Sequence, residues 1–179
     1  MAKLLGARMG PTTYAIDPLA RGDVKWALVK MGYPVEDRAG FGTAEPLALR
    51  VRDGEGFEVR DYQRAAVDAF APRETAHAGQ GVVVLPCGAG KTLVGVLAAE
   101  RVGASVLVLV TSDAAVDQWV REFRERTDLP AEAIGRYTGR TKEIRAVTIA
   151  TYSVLTVRRN GEFPNLALFG AQGRAHVRD

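Results

Sequence analysis

The sequence predicts an α/β fold, a parallel sheet with flanking helices, and three observations carry that expectation. Apolar runs rich in β-branched residues occur at 81–85, 105–110 and 146–150, and unbroken runs of this kind are expected of strands covered on both faces. Helical spacing fills the intervals between them, at 91–101 and 114–126, and strands alternating with helices of this length make right-handed βαβ units. A glycine-rich turn, Pro86-Cys87-Gly88-Ala89-Gly90-Lys91-Thr92, joins the first run to the first of those helices.

Taken in order, the elements begin with residues 23–31, where Val24, Ala27, Leu28 and Met31 fall on one helical stripe, Asp23 is a candidate N-cap, and Gly32 and Pro34 stop the helix. Residues 37–60 are rich in glycine, proline and charge and read as an irregular or weakly stranded connector, with a boundary at 53–56. Helical spacing returns at 61–70, with Tyr62, Ala65, Ala66 and Phe70 on one face, and residues 71–80 form a short polar loop. In the helix at 114–126 the stripe is Val116, Trp119, Val120 and Phe123, capped by Ser112 or Asp113. The organisation expected is a small α+β segment at 1–56, an α/β unit at 57–169 and a tail at 170–179.

Composition narrows the class of protein. A chain of 179 residues buries enough surface to fold without disulfides, and its single Cys fits a reducing, cytoplasmic setting. No apolar run approaches the ~20 residues of a membrane helix, so no membrane partner is expected. The net charge of +3 is too small to argue for a nucleic-acid partner alone, but it is unevenly spread. Residues 1–80 hold 11 basic and 11 acidic side chains, whereas residues 136–178 hold eight basic ones against Glu143 and Glu162.

The glycine-rich turn carries the chemistry. A phosphate needs several backbone N–H donors converging on it, which requires a loop that bends inward without Cβ clashes; Gly88 and Gly90 meet that need. The following helix N-terminus adds its dipole and free N–H groups. Lys91 is placed to reach the β- and γ-phosphates and Thr92 to ligate Mg²⁺. Leu85 stands where the usual eight-residue pattern has its first glycine. Cys87 reads as a small packing residue, since no partner for a nucleophile is evident near it. Gln63 offers the paired donor and acceptor that an adenine edge requires, although taken singly such a residue is ordinarily a surface helix position. At the ends of the later runs stand Ser112, then Thr138, Gly139 and Arg140, then Thr151 and Ser153. In a parallel sheet these positions share the edge where ligands bind, and hydroxyl, N–H and Arg groups there suit nucleic-acid phosphates.

These residues bring a family into view. Arg60-Asp61-Tyr62-Gln63, the stretch from Val82 through the glycine-rich turn to Gly95, Val116-Asp117-Gln118-Trp119 and Ile149-Ala150-Thr151-Tyr152-Ser153 together resemble the first motor domain of superfamily 2 DNA helicases of the XPB type, over about residues 58–169. Residues 31–37 are similar to the region ahead of the motor in bacterial members. The resemblance implies a P-loop NTPase lobe of RecA-like fold in an ATP-driven DNA repair motor. By motif, Gln63 would contact adenine; Gly88, Ala89, Gly90, Lys91 and Thr92 would hold ATP and Mg²⁺, with Lys91 the catalytic cation and Thr92 the metal ligand. Ser112, Thr138, Gly139, Arg140, Thr151 and Ser153 would lie along the DNA.

One departure from the family pattern stands out. Mg²⁺ and the attacking water call for carboxylates opposite the phosphate loop, supplied in such motors by a further apolar strand ending in Asp-Glu. After Ser153 the only acids are Glu162 and Asp179, and Leu166-Ala167-Leu168-Phe169, which resembles the approach to that strand, gives way to a polar, basic tail. The second motor lobe is also absent. The expectation is an incomplete lobe, a truncated or frameshifted front part that binds ATP and DNA weakly, does not hydrolyse ATP alone, and is marginally stable. A complete, non-hydrolysing nucleotide- or DNA-binding module and a P-loop transferase stay open as alternatives.

Overall fold

The computed structural model describes residues 4–17, 20–35, 44–54, 56–71, 81–170 and 175–178. Two compact units divide at Gly40 and Phe41. The first, Met1–Gly40, contains helix α1 (Arg21–Lys30) and an antiparallel bridge between Arg8 and Tyr14. Ala20 is the N-cap of α1, which places Asp23 in the first turn rather than at the cap. Asp23 still suits that position, because a carboxylate there opposes the positive end of the helix dipole. Of the expected stripe, Val24 is buried, Ala27 and Leu28 are half-buried, and Met31 is exposed.

The second unit, Phe41–Asp179, is built on a sheet of β1 (Val106–Val110), β2 (Ile134–Tyr137), β3 (Val147–Thr151) and β4 (Ala175–Arg178), in the order β2-β3-β1-β4 with every neighbouring pair parallel. Its helices are α2 (Asp61–Phe70), α3 (Lys91–Val102), α4 (Asp113–Arg126), the single turn α5 (Tyr152–Leu155) and α6 (Pro164–Gly170). All five residues of β1 are buried, and so are all five of β3. The reason is that the sheet is covered twice. Val106, Val108 and Val110 pack with Val147 and Ile149 beneath Val96 of α3 and Val116, Trp119, Val120 and Phe123 of α4. Leu107 and Leu109 face the other way, onto Tyr137, Val154, Leu155 and Phe169. The α4 stripe read from spacing is the buried one, and the α/β class with a parallel sheet and flanking helices is the observed architecture.

Two local expectations are corrected. Residues 81–85 do not form a strand: they make no backbone hydrogen bond with other described residues, and Val82 and Val84 are 88% and 86% exposed. A β-branched run extends readily, but a strand also requires a neighbour for its N–H and C=O groups. Val83 and Leu85 instead pack one side of the run against Val59, Val67, Val94 and Leu97. In α2 the buried side chains are Gln63 and Val67, flanked by half-buried Ala66 and Phe70; Tyr62 and Ala65 are exposed. The face turns because Gln63 is drawn inward by hydrogen bonds rather than by hydropathy. The expected loop at 71–80 falls, beyond Ala71, outside the described residues, as do 171–174 and Asp179 of the tail. Leu166–Phe169 belong to α6, and Phe169 closes the second core layer edge-on to Tyr137, with ring centroids 5.2 Å apart.

Because Val82 and Val84 contribute almost no burial, replacing both by Thr is expected to leave the unfolding free energy within about 0.5 kcal/mol of the parent. Urea denaturation checks this, and a loss well beyond that figure would mean the two side chains are covered in solution.

Candidate functional site

The site gathers at the C-terminal edge of the sheet. Register sets Val110 beside Thr151 and Tyr137 beside Ala150, so the ends of β1, β2 and β3 lie side by side. The glycine-rich loop reaches the same edge: Gln118 Nε2, in the second turn of α4 after β1, donates to Thr92 Oγ1 of α3 at 3.3 Å.

The loop turns on two left-handed residues, Gly88 at φ +77° and Gly90 at φ +72°. Gly90 is the N-cap of α3. A Cβ on Gly88 would meet nothing within 4 Å, whereas one on Gly90 would stand 2.6 Å from Gln63 Nε2. Gln63 is thus wedged against the loop from α2. Its Oε1 accepts from Arg60 N at 3.0 Å, completing the N-terminal turn of the helix, and its Nε2 donates to Ala89 O at 3.0 Å. Tyr62 OH donates to the same Ala89 O at 2.9 Å. Lys91 Nζ lies over the loop, donating to Leu85 O at 3.3 Å and Pro86 O at 3.2 Å. An open cavity of about 460 Å³ is lined by Arg60, Tyr62 and residues 85–89. The free cysteine, Cys87, is exposed within that lining.

These residues fit a bound polyphosphate. The first N–H groups of α3 have no partner inside the helix, the space above Gly88 is clear of side chains, and Lys91 supplies a cation at the loop. The Lys91 side chain would turn from the Leu85 and Pro86 carbonyls toward the polyphosphate.

The six residues expected along a nucleic-acid track do share the edge, in two sets. Ser112, Gly139, Arg140 and Ser153 are exposed, while Thr138 and Thr151 are buried. Thr138 Oγ1 accepts from Arg140 N at 3.2 Å and Thr141 N at 3.3 Å, and so shapes the turn that presents Gly139 and Arg140. Ser153 Oγ donates to Thr151 Oγ1 at 3.2 Å, and Ser112 Oγ accepts from Ala115 N at 3.2 Å as the cap of α4. Of the eight basic residues in the C-terminal stretch, Arg136 is committed to Asp117 at 2.7 Å. Partial burial, and next the Arg159 guanidinium, hold the Lys142 ammonium below the ordinary lysine range. Lys142 also lies over the Tyr137 ring, 4.5 Å from its centroid.

Sequence reasoning assigned no role to Tyr62 or Gln118, although both stand inside the motif strings. Their contacts span 27 and 26 positions of the chain, a separation for which periodicity carries no signal.

A doubly covered parallel sheet, with a glycine-rich loop opening the helix that leads into its central strand, defines a RecA-like α/β lobe. The chain belongs to the family described as "Type III restriction enzyme, res subunit" (ResIII), whose model matches residues 56–168. The XPB-type resemblance read from the motifs extends across nearly the whole chain. It is 48% identical over 174 residues to "DNA 3'-5' helicase XPB" of Mycobacterium tuberculosis, a match covering 96% of this chain and 30% of that relative. It is 46% identical over 171 residues to the protein of the same name from Kineococcus radiotolerans, with the same two shares. The chain therefore spans about a third of the length of these relatives. Among solved structures, the UvsW helicase of bacteriophage T4 aligns with a TM-score of 0.45 at 18% identity, covering 78% of this chain and 55% of that one. No described helix is long and apolar enough to cross a membrane.

Proposed function

We propose that this chain is the nucleotide- and DNA-engaging part of the first motor lobe of an XPB-type DNA repair helicase. The observation that supports this reading most directly is the loop at the sheet edge, with Gly88 and Gly90 both left-handed and Gln63 packed against Gly90. The backbone of Gly88, Ala89 and Gly90 and the N–H groups opening α3 would cradle the β- and γ-phosphates of ATP. Lys91 would leave the carbonyls of Leu85 and Pro86 for the phosphates, and Thr92 Oγ1, steadied by Gln118, would ligate Mg²⁺. Gln63 would present its remaining Nε2 hydrogen to the adenine edge. Bound there, ATP with Mg²⁺ supplies the phosphoryl chemistry that drives such motors. Ser112, Gly139, Arg140 and Ser153 would contact DNA phosphates, with Thr138 and Thr151 setting the turns that carry them. A second motor lobe would complete the cleft in the intact protein.

These 179 residues alone are expected to bind nucleotide without turning it over, because the acids after Ser153 are only Glu162 and Asp179. Titration with a fluorescent ATP analogue in Mg²⁺ tests the proposal. Lys91→Ala should weaken binding by roughly tenfold or more, the weight of a charge-assisted contact to phosphate, and equal affinity of parent and variant would refute the assignment. Steady-state, DNA-stimulated ATP hydrolysis by the chain, abolished in Lys91→Ala, would contradict the second statement.

A further inference from the structure

We infer that Tyr62 is a positioning residue for the glycine-rich loop: its hydroxyl fixes the Ala89 carbonyl so that the N–H of the same peptide, on Gly90, is held toward the bound triphosphate. The inference rests on the nucleotide-binding reading of that loop.

The Ala89–Gly90 peptide is planar, so its C=O and N–H point in opposite directions. Whatever holds the carbonyl also aims the N–H. This peptide turns about ψ of Ala89 and φ of Gly90; Gly90 is at φ +72°, and glycine crosses between positive and negative φ at little steric cost. Left alone, the peptide would therefore populate more than one orientation, and only some of them aim the Gly90 N–H into the concave side of the loop. Two side chains from the first turn of α2 remove that freedom, Tyr62 OH at 2.9 Å and Gln63 Nε2 at 3.0 Å, both on Ala89 O.

The two donors are not equivalent. Gln63 is buried and accepts from Arg60 N at 3.0 Å, and in the proposed function it is the residue that would read the base. Any shift of its carboxamide toward a base edge loosens its hold on Ala89 O. Tyr62 has one polar atom, and that atom is on Ala89 O. It keeps the carbonyl occupied whether or not the Gln63 carboxamide shifts. Its ring also lines the cavity beside residues 85–89, so a base-stacking role is the rival explanation, and the test separates the two.

The 179-residue chain, as parent and as Tyr62→Phe, is titrated with Mg²⁺-ATP and with Mg²⁺-tripolyphosphate, which has no base. Phe keeps the ring and removes only the hydroxyl. The expected result is a loss of roughly three- to tenfold for both probes, the weight of one hydrogen bond. The Gly90 amide proton resonance should also move, since it shares a peptide with the released carbonyl, while the melting temperature stays within about a degree or two, as for surface changes in a chain this size. Unchanged tripolyphosphate affinity, a loss confined to ATP, or an unmoved Gly90 resonance would each overturn the inference. Should the parent bind neither probe, the nucleotide-binding reading itself falls, and this inference with it.

Discussion

Gly95→Val is expected to destabilise the fold by about 3 kcal/mol, the upper range for overpacking a filled site. Gly95 lies in the middle of α3, where glycine ordinarily costs about 1 kcal/mol relative to alanine, so the local rule alone predicts that a larger residue would help. Packing reverses the sign. An added Cβ would fall on the ring of Trp119, 3.0 Å from Cζ3 and closer still to Cη2. That ring cannot retreat easily: Trp119 is buried, and the Phe123 ring stands beside it with centroids 6.1 Å apart. Gly95→Ala should therefore cost less than Gly95→Val but remain destabilising, its gain in helix propensity outweighed by the clash. For a domain of this size the valine variant should melt roughly 6–12 °C lower. A cycle with Trp119→Phe identifies the cause, because the smaller ring frees the space and the two losses should fall well short of additive. An unchanged denaturation midpoint for Gly95→Val would show that the helices do not approach as described.

The second large effect is expected at Gly90. Gly90→Ala places a Cβ on a residue at φ +72°, a left-handed conformation that costs a non-glycine residue about 1–2 kcal/mol. The same Cβ would stand 2.6 Å from Gln63 Nε2. Gln63 could yield only by giving up its bond to Ala89 O, so the loop would lose both its shape and one clamp. Nucleotide-analogue affinity is expected to drop by at least about tenfold, the equivalent of losing one such contact and its geometry, alongside a lower melting temperature. Gly88→Ala is the control. Its φ of +77° carries a similar backbone cost, but no atom lies within 4 Å of the new methyl. The difference between the two variants therefore measures the Gln63 contact, and Gln63→Ala in the Gly90→Ala background should narrow it. Equal losses at Gly88 and Gly90 would remove Gln63 from the account.

What could be read from the sequence was whatever a contiguous pattern records. The runs at 105–110 and 146–150 emerged as β1 and β3 because both faces of each are covered, and the α4 stripe emerged whole because one helix face meets one sheet face. The glycine-rich loop was legible for a related reason: its conformational demands are met by residues within the loop. β2 was missed because Ile134–Tyr137 is short and broken by Gly135 and Arg136. Gly135 is needed where the Glu143 carbonyl oxygen would come within 2.6 Å of a Cβ, and Arg136 is neutralised by Asp117. The run at 81–85 failed in the opposite way, since its composition favours a strand but backbone pairing depends on a neighbour that composition does not reveal. At the site, Gln63 was singled out, but its burial and the Tyr62 clasp depend on where α2 meets a loop 26 residues further on.

The Gln118–Thr92 contact has a mechanical consequence. Between its Ser112 cap and Gln118, α4 is a rod of six residues, about 9 Å long at 1.5 Å per residue. One end stands among the exposed groups at the sheet edge and the other rests on Thr92 Oγ1 at 3.3 Å. With the bond already at 3.3 Å, a separation of Gln118 from Thr92 by about half an ångström would carry it past hydrogen-bonding distance, so this contact ties the placement of α4 to the threonine at the start of α3.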